Sequence, residues 1–200
     1  MAIYLVRHTA PDVAKGICYG QADIGVKETF LTEASIIQKH LPQNIAAVYS
    51  SPLQRCKKLA EHLFANHTIH LHEHLQEINC GQWELKAWDD IPRAEIDHWM
   101  NDLINVRIPG GESYEELYQR VKDAFINIYQ QAESVAIIAH GGVIRSILSY
   151  ITNTPLKESF EAFSLHYGCV IKIININGAL KHEILSNIVH AKETHKPSYL

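Results

Sequence analysis

The chain has 200 residues, 46% of them hydrophobic and 20% charged, which is enough to bury one core and ordinary for a globular protein. A formal net charge of -4 with no basic run excludes a broad nucleic-acid-binding face, although a few local arginines could still hold a phosphate. Cys18, Cys56, Cys80 and Cys169 form no Cys-x-x-Cys pair, which argues against a zinc knuckle or disulfide framework and for reduced thiols. No stretch approaches a membrane span, and the first apolar run lacks the basic segment of a signal peptide. The expectation is a single domain over residues 1–200, in the cytoplasm, without membrane contact.

In chain order, residues 3–8 read Ile-Tyr-Leu-Val-Arg-His. A short apolar run of this kind suits a strand buried on both faces, and Arg7 and His8 fall where it leaves the sheet. Taken alone, such a pair is usually the start of a solvated loop. A long polar loop follows and contains Cys18-Tyr19-Gly20-Gln21-Ala22-Asp23. Thr32 is read as the N-cap of a helix that Pro42 ends. A second strand is expected at 45–49, after which Ser51 caps a helix beginning at Pro52. Arg55 sits in the first turn of that helix, where the helix dipole opposes a cation unless an anion lies between them.

Residues 69–71 are a weak third strand. His67, His70, His72 and His74 cluster there, but the polar flanks favour a solvated edge over a metal site, so no metal is expected. The segment at about 77–112 is rich in tryptophan and acidic residues and resembles a lid over a pocket. Ser113 and Glu116 form a capping box for a long helix. Val135–Ala139 is a third buried strand ended by His140; Gly141-Gly142 read as a turn, and a helix follows over 143–150. Segments 169–176 and 180–185 pair as a hairpin about Asn177-Gly178. The tail from His190 reads as polar and frayed. The alternation predicts a three-layer α/β/α sandwich with a mostly parallel central sheet.

Three strands therefore end in polar groups: Arg7 with His8, Arg55, and His140. If the strands are neighbours, these groups meet in one pocket. Two guanidinium forks suit a tetrahedral oxyanion, and a neutral imidazole nitrogen can attack phosphorus. Nearby positive charge lowers the imidazole pKa and keeps that nitrogen neutral. A carboxylic acid from the 77–112 segment is the natural proton donor.

The stretches Leu5-Val6-Arg7-His8-Thr9, Ser50-Ser51-Pro52-Leu53-Gln54-Arg55 and Ala139-His140-Gly141-Gly142 together resemble the histidine phosphatase superfamily, which includes phosphoglycerate mutases. Within it, Arg-His-Thr-Ala-Pro, Cys18 to Asp23 and Glu77-x-x-x-Gly81-x-Trp83-Glu84 most resemble α-ribazole phosphatases. The resemblance implies a phosphoglycerate mutase-like fold and a cofactor-free phosphomonoesterase acting on a small-molecule phosphate monoester. That substrate would be α-ribazole 5′-phosphate, in cobalamin assembly. His8 would be the phosphorylated nucleophile. Arg7, Arg55 and His140 would hold the phosphoryl oxygens, helped by Thr9 and the Gly141 N–H. Glu77 would be the proton donor, with Glu84 its rival. Tyr19, Gly20 and Gln21 would meet the substrate. A phosphoglycerate mutase, a broad-specificity sugar-phosphate or nucleotide phosphatase, and a non-catalytic phospholigand-binding protein are the alternatives; a homodimer is left open. Two departures stand out: Leu85 and Ser35 occupy positions where family members often carry Gly.

Overall fold

A computed structural model describes residues 2–131, 134–189 and 198. The expected tail from His190 lies almost wholly outside the described residues. Six strands form one sheet in the order β3-β2-β4-β1-β5-β6. They are β1 (Ala2–Arg7), β2 (Ala47–Ser50), β3 (Ile69–Leu71), β4 (Ser134–Ala139), β5 (Val170–Ile176) and β6 (Ala179–Ser186). The first four in that order are mutually parallel, and β5 and β6 add an antiparallel edge.

The alternation of side chains along each strand divides the core into two layers. Ile3, Leu5, Val135, Ile137 and Ala139 face one way, against α4 (Tyr114–Gln131) and α5 (Gly141–Thr152). Tyr4, Val6, Val48, Ala136 and Ile138 face the other, against α1 (Phe30–Gln38) and α2 (Gln54–Leu63). The strands read as continuous apolar runs because both faces are covered. The three-layer sandwich expected from the alternation is therefore the observed architecture.

Several boundaries differ from expectation. Thr32 lies inside α1, whose N-cap is Thr29; the Glu33 carboxylate accepts from the Thr29 hydroxyl and reaches back to the Ala10 N–H. The second helix begins at Gln54 rather than Pro52, because Leu53 is extended and Asp23 of the long loop accepts the Gln54 N–H at 2.7 Å. Ser51 Oγ does accept from the Leu53 N–H, at 3.3 Å. Gly141-Gly142 are the first residues of α5 itself, with His140 as N-cap. The capping box is present in both directions: the Ser113 N–H donates to Glu116 at 2.8 Å, and the Glu116 N–H to Ser113 Oγ at 3.2 Å. The hairpin turn at Asn177-Gly178 places both residues at positive φ, 53° and 87°, as a two-residue connection requires. His70 lies on β3, His72 caps a 3-10 turn and His74 lies within it, so the three belong to different elements.

A third apolar cluster stands beside the sheet. Cys80, Trp83, Trp88, Ile91, Ile96 and Ile108 of the 77–112 segment pack on Cys18 of the long loop. A bridge between Ile17 and Ala87 and the bond from the Leu85 N–H to the Cys18 carbonyl (2.8 Å) join the two segments. α3 (Arg93–Asn101) forms the outer side of this unit.

Leu85 adopts φ 64° and its side chain is 60% exposed. A left-handed backbone costs an L-residue about 1–2 kcal/mol, which gives a physical reason for glycine at this position in relatives. Leu85→Gly loses little packing, and its greater unfolded-state entropy offsets only about 0.5–1 kcal/mol. The variant is expected to be more stable by about 0.5–1 kcal/mol, seen as a higher urea midpoint; an unchanged or lower midpoint would contradict the strain at Leu85.

Candidate active site

β2, β4 and β1 are adjacent and parallel, so their carboxyl ends open on one edge of the sheet. That edge carries Arg7 and His8 after β1, Ser51 to Arg55 after β2, and His140 after β4. A cavity of about 360 Å³ opens there. Arg7, His8, Tyr19, Arg55, Glu77, Gly141 and Gly142 line its inner end.

His8 is buried, and its Nδ1 lies 2.7 Å from the Thr9 carbonyl oxygen. A carbonyl oxygen only accepts, so Nδ1 carries the proton and Nε2 is the basic nitrogen. The His140 ring stands edge-on to His8, with ring centroids 5.1 Å apart. His140 does not itself border the cavity; it is fully buried, with Nε2 2.8 Å from Ser51 Oγ and the Cys56 sulfur 3.4 Å from the same nitrogen. Burial, then the charges of Arg55, His8 and Arg7, hold the His140 pKa well below the ordinary histidine range. Burial likewise pushes the Cys56 thiol far above its usual range, so it packs as an inert thiol.

Arg55 is completely buried. Its Nη1 and Nη2 donate to the carbonyls of Ala22 (2.9 Å) and Gly20 (2.6 Å), and its Nε has no hydrogen-bond partner among the described residues. Arg7 donates through Nη1 to the Leu165 carbonyl at 2.5 Å, and Tyr167 lies beneath its guanidinium, 4.1 Å from ring centroid to Cζ. Thr9 Oγ1 is buried and also lacks a partner among the described residues. Both guanidinium groups border one cavity, a composition suited to a tetrahedral oxyanion.

The two acidic residues have separate surroundings. Glu84 accepts backbone N–H bonds from Gly20 (2.9 Å), Gln21 (2.8 Å), Ala22 (3.1 Å) and Cys80 (3.0 Å), and it does not line the cavity. Glu77 does line it, with Oε2 accepting from the Gly142 N–H at 3.0 Å and Oε1 from the Ile78 N–H at 2.9 Å. A β-carbon on residue 142 would collide with that carboxylate, so the close approach requires glycine there. Arg120 donates to the carbonyls of His74, Gln76 and Glu77 and to the Glu112 carboxylate, which fixes the backbone that carries Glu77.

Of the residues expected to meet a substrate, Tyr19 borders the cavity, and its hydroxyl lies 2.6 Å from that of Tyr167. Gly20 and Gln21 stand behind the wall. Their N–H groups go to Glu84, the Gly20 carbonyl to Arg55, and Gln21 Nε2 to the Glu77 carbonyl. Sequence reasoning missed Leu165, Tyr167 and Arg120. The first two precede β5, which runs antiparallel to β1, so the segment before β5 arrives at the edge where β1 ends. Among the described residues, no group of three His, Cys, Asp or Glu is arranged to hold a metal ion, and no helix is long and apolar enough to cross a membrane.

Residues 3–185 match the family profile of the histidine phosphatase superfamily, branch 1. The chain belongs to that superfamily. A phosphatase hydrolase is the enzyme class that membership supports. An α-ribazole phosphatase from Shigella flexneri shares the fold with a TM-score of 0.84 at 21% identity, over 96% of this chain and all of that one. A Hydrogenobacter thermophilus protein named for phosphoserine phosphatase activity is 26% identical over 164 residues, 78% of this chain and 81% of its own length. The 6-phosphofructo-2-kinase/fructose-2,6-bisphosphatase of Arabidopsis thaliana is 29% identical over 129 residues, 62% of this chain, and the match spans 17% of that protein's length.

The buried neutral His140 links stability to pH. Its folded pKa is depressed, so between that value and the ordinary value near 6.5 the unfolded chain binds the extra proton. Stability therefore falls as pH drops below about 6.5, by up to about 1.4 kcal/mol per pH unit from this one site. In urea titrations at pH 7 and 5.5, His140→Asn is expected to lose about 1 kcal/mol less than wild type on acidification; equal losses would contradict a depressed His140.

Proposed function

We propose that the protein hydrolyses phosphate monoesters through a phosphohistidine at His8, with α-ribazole 5′-phosphate as substrate, in cobalamin assembly in the cytoplasm. The observation that carries this reading is His8 itself: its Nδ1 is engaged by the Thr9 carbonyl, and Arg7, Arg55 and Glu77 border the same cavity end.

In the first step, His8 Nε2 attacks phosphorus. The N–P bond forms, the P–O ester bond breaks, and the carboxylic acid of Glu77 protonates the leaving alkoxide. Arg7, Arg55, Thr9 Oγ1 and the Gly141 N–H take the phosphoryl oxygens, and neutral His140 completes the shell beside His8. In the second step, a water molecule attacks phosphorus while the Glu77 carboxylate accepts its proton. The N–P bond breaks, inorganic phosphate leaves, and His8 returns to its starting state. Glu77 is favoured over Glu84 as donor because four backbone N–H groups already occupy the Glu84 carboxylate. Tyr19 would contact the substrate directly, whereas Gly20 and Gln21 would act by holding Arg55 and the Glu77 backbone. We read 77–112 as a lid within one domain, because it walls the cavity and packs as a cluster of its own. Support for α-ribazole 5′-phosphate comes from the motif resemblance and the apolar outer cavity.

The test is a rapid acid-free quench during turnover of a panel containing α-ribazole 5′-phosphate, phosphoglycerates and sugar phosphates. The expected result is acid-labile phosphate on the wild-type protein and none on His8→Ala, with turnover of the variant reduced at least about 10³-fold, and α-ribazole 5′-phosphate as the preferred substrate. Trapping and turnover that survive in His8→Ala would overturn the mechanism. Phosphate binding with no turnover of any ester would favour a phospholigand-binding protein instead.

A further inference from the structure

Beyond the inner end, the cavity changes character. Trp88, Trp99, Met100, Leu103, Ile108 and Phe160 line its outer part, and Glu77 is the sole carboxylate among all its lining residues. Trp88 and Trp99 stack at 6.2 Å with an interplanar angle of 22°. Met100 and Phe160 remain 41% and 37% exposed at the edge of this wall. Exposed apolar side chains bordering a cavity mark a surface that an apolar ligand covers.

Arg145 is set into this apolar wall. It lies four residues after Gly141 on α5, roughly 6 Å farther along the helix axis. Gly141 marks the phosphate end, since a β-carbon there would touch Arg7 Cζ at 3.4 Å. The Arg145 guanidinium stands over the Phe160 ring, 4.7 Å from its centroid. No carboxylate among the described residues lies within ion-pair distance of it, and its Nε is buried without a hydrogen-bond partner. The indole Nε1 atoms of Trp88 and Trp99 are likewise buried without partners among the described residues. Buried indole N–H groups ordinarily find an acceptor. Aromatic surfaces, a fixed cation and donors without acceptors together describe a ligand that is planar, apolar and equipped with an acceptor.

We infer that Arg145 is a specificity-determining residue that reads the leaving group, and that the substrate class is a phosphate monoester whose leaving group carries an aromatic or heteroaromatic ring with an anionic or strong acceptor group about one helical turn from phosphorus. The inference deepens the phosphomonoesterase reading and rests on it for the position of the phosphate. A cationic leaving group is disfavoured, because Arg145 adds to the positive charge of Arg7 and Arg55 against a single carboxylate.

Calorimetric binding of two non-hydrolysable probes, phenylphosphonate and 3-carboxyphenylphosphonate, tests this without requiring turnover. Wild type is expected to bind the carboxylated probe at least about tenfold more tightly, and Arg145→Met to erase that difference. Arg145→Lys keeps the charge without the planar fork and is expected to retain part of it. Continued binding of phenylphosphonate shows that each variant is folded. In the matching kinetic arm, the kcat/KM ratio of 3-carboxyphenyl phosphate to phenyl phosphate falls in Arg145→Met, chiefly through KM. Equal binding of the two probes by wild type, or a preference that survives in Arg145→Met, overturns the assignment. Absence of a phosphoenzyme with the probe preference intact would instead count against the His8 mechanism and leave the Arg145 assignment standing.

Discussion

A fully buried guanidinium without a carboxylate partner among the described residues is the constraint around which this edge of the sheet is built. Arg55 sits in the first turn of α2, where the helix dipole offers a cation no stabilisation, and its Nη hydrogens go to main-chain carbonyls rather than to an acid. Burying a charge this way costs several kcal/mol of desolvation unless hydrogen bonds and an anion offset it. The carbonyls of Gly20 and Ala22 supply part of that offset. An anion in the cavity would supply the rest.

The long loop and the 77–112 segment exist in their observed form largely to hold those carbonyls still. Glu84 gathers the N–H groups of residues 20, 21 and 22, turning their carbonyl side toward Arg55. The same carboxylate takes the Cys80 N–H, which ties the loop to the segment. Arg120 performs the complementary task for Glu77 by capturing the main-chain carbonyls of His74, Gln76 and Glu77 itself. A carboxylate and a guanidinium distant in sequence thus hold the backbone beside Arg55 and Glu77, and Trp83, Trp88 and Ile96 of the 77–112 segment pack together in the third apolar cluster.

Much of this was legible in the sequence, for reasons particular to each element. β1 and β4 are buried on both faces, which is why each reads as an uninterrupted apolar run broken abruptly by Arg7-His8 or His140, a pattern that suits a strand end. Arg55 was visible because its place in a first turn is electrostatically awkward. The helix starts were less legible. Asp23, from a distant loop, satisfies the Gln54 N–H and shifts the start of α2 away from Ser51, and no local pattern encodes that contact. The motif register favours Glu77 over Glu84 as proton donor, but which backbone N–H groups each carboxylate receives depends on tertiary packing that no local pattern encodes. Tyr167 and Leu165 escaped notice because the antiparallel approach of β5 to β1 is a topological fact, although the hairpin signal at Asn177-Gly178 hinted at it. Arg145 carries no local signal within the helix expected over 143–150, and only the folded cavity sets it among aromatic side chains.

The central claim is that three strand ends build one oxyanion site with His8 as nucleophile and Glu77 as acid. It is tested most directly by a crystal structure with orthovanadate, whose five-coordinate form mimics phosphoryl transfer. The account predicts vanadium bonded to His8 Nε2, equatorial oxygens on Arg7 and Arg55, and the apical oxygen opposite His8 within hydrogen-bond distance of the Glu77 carboxylate. Vanadate bonded to another side chain, or an apical oxygen facing away from Glu77, would contradict it.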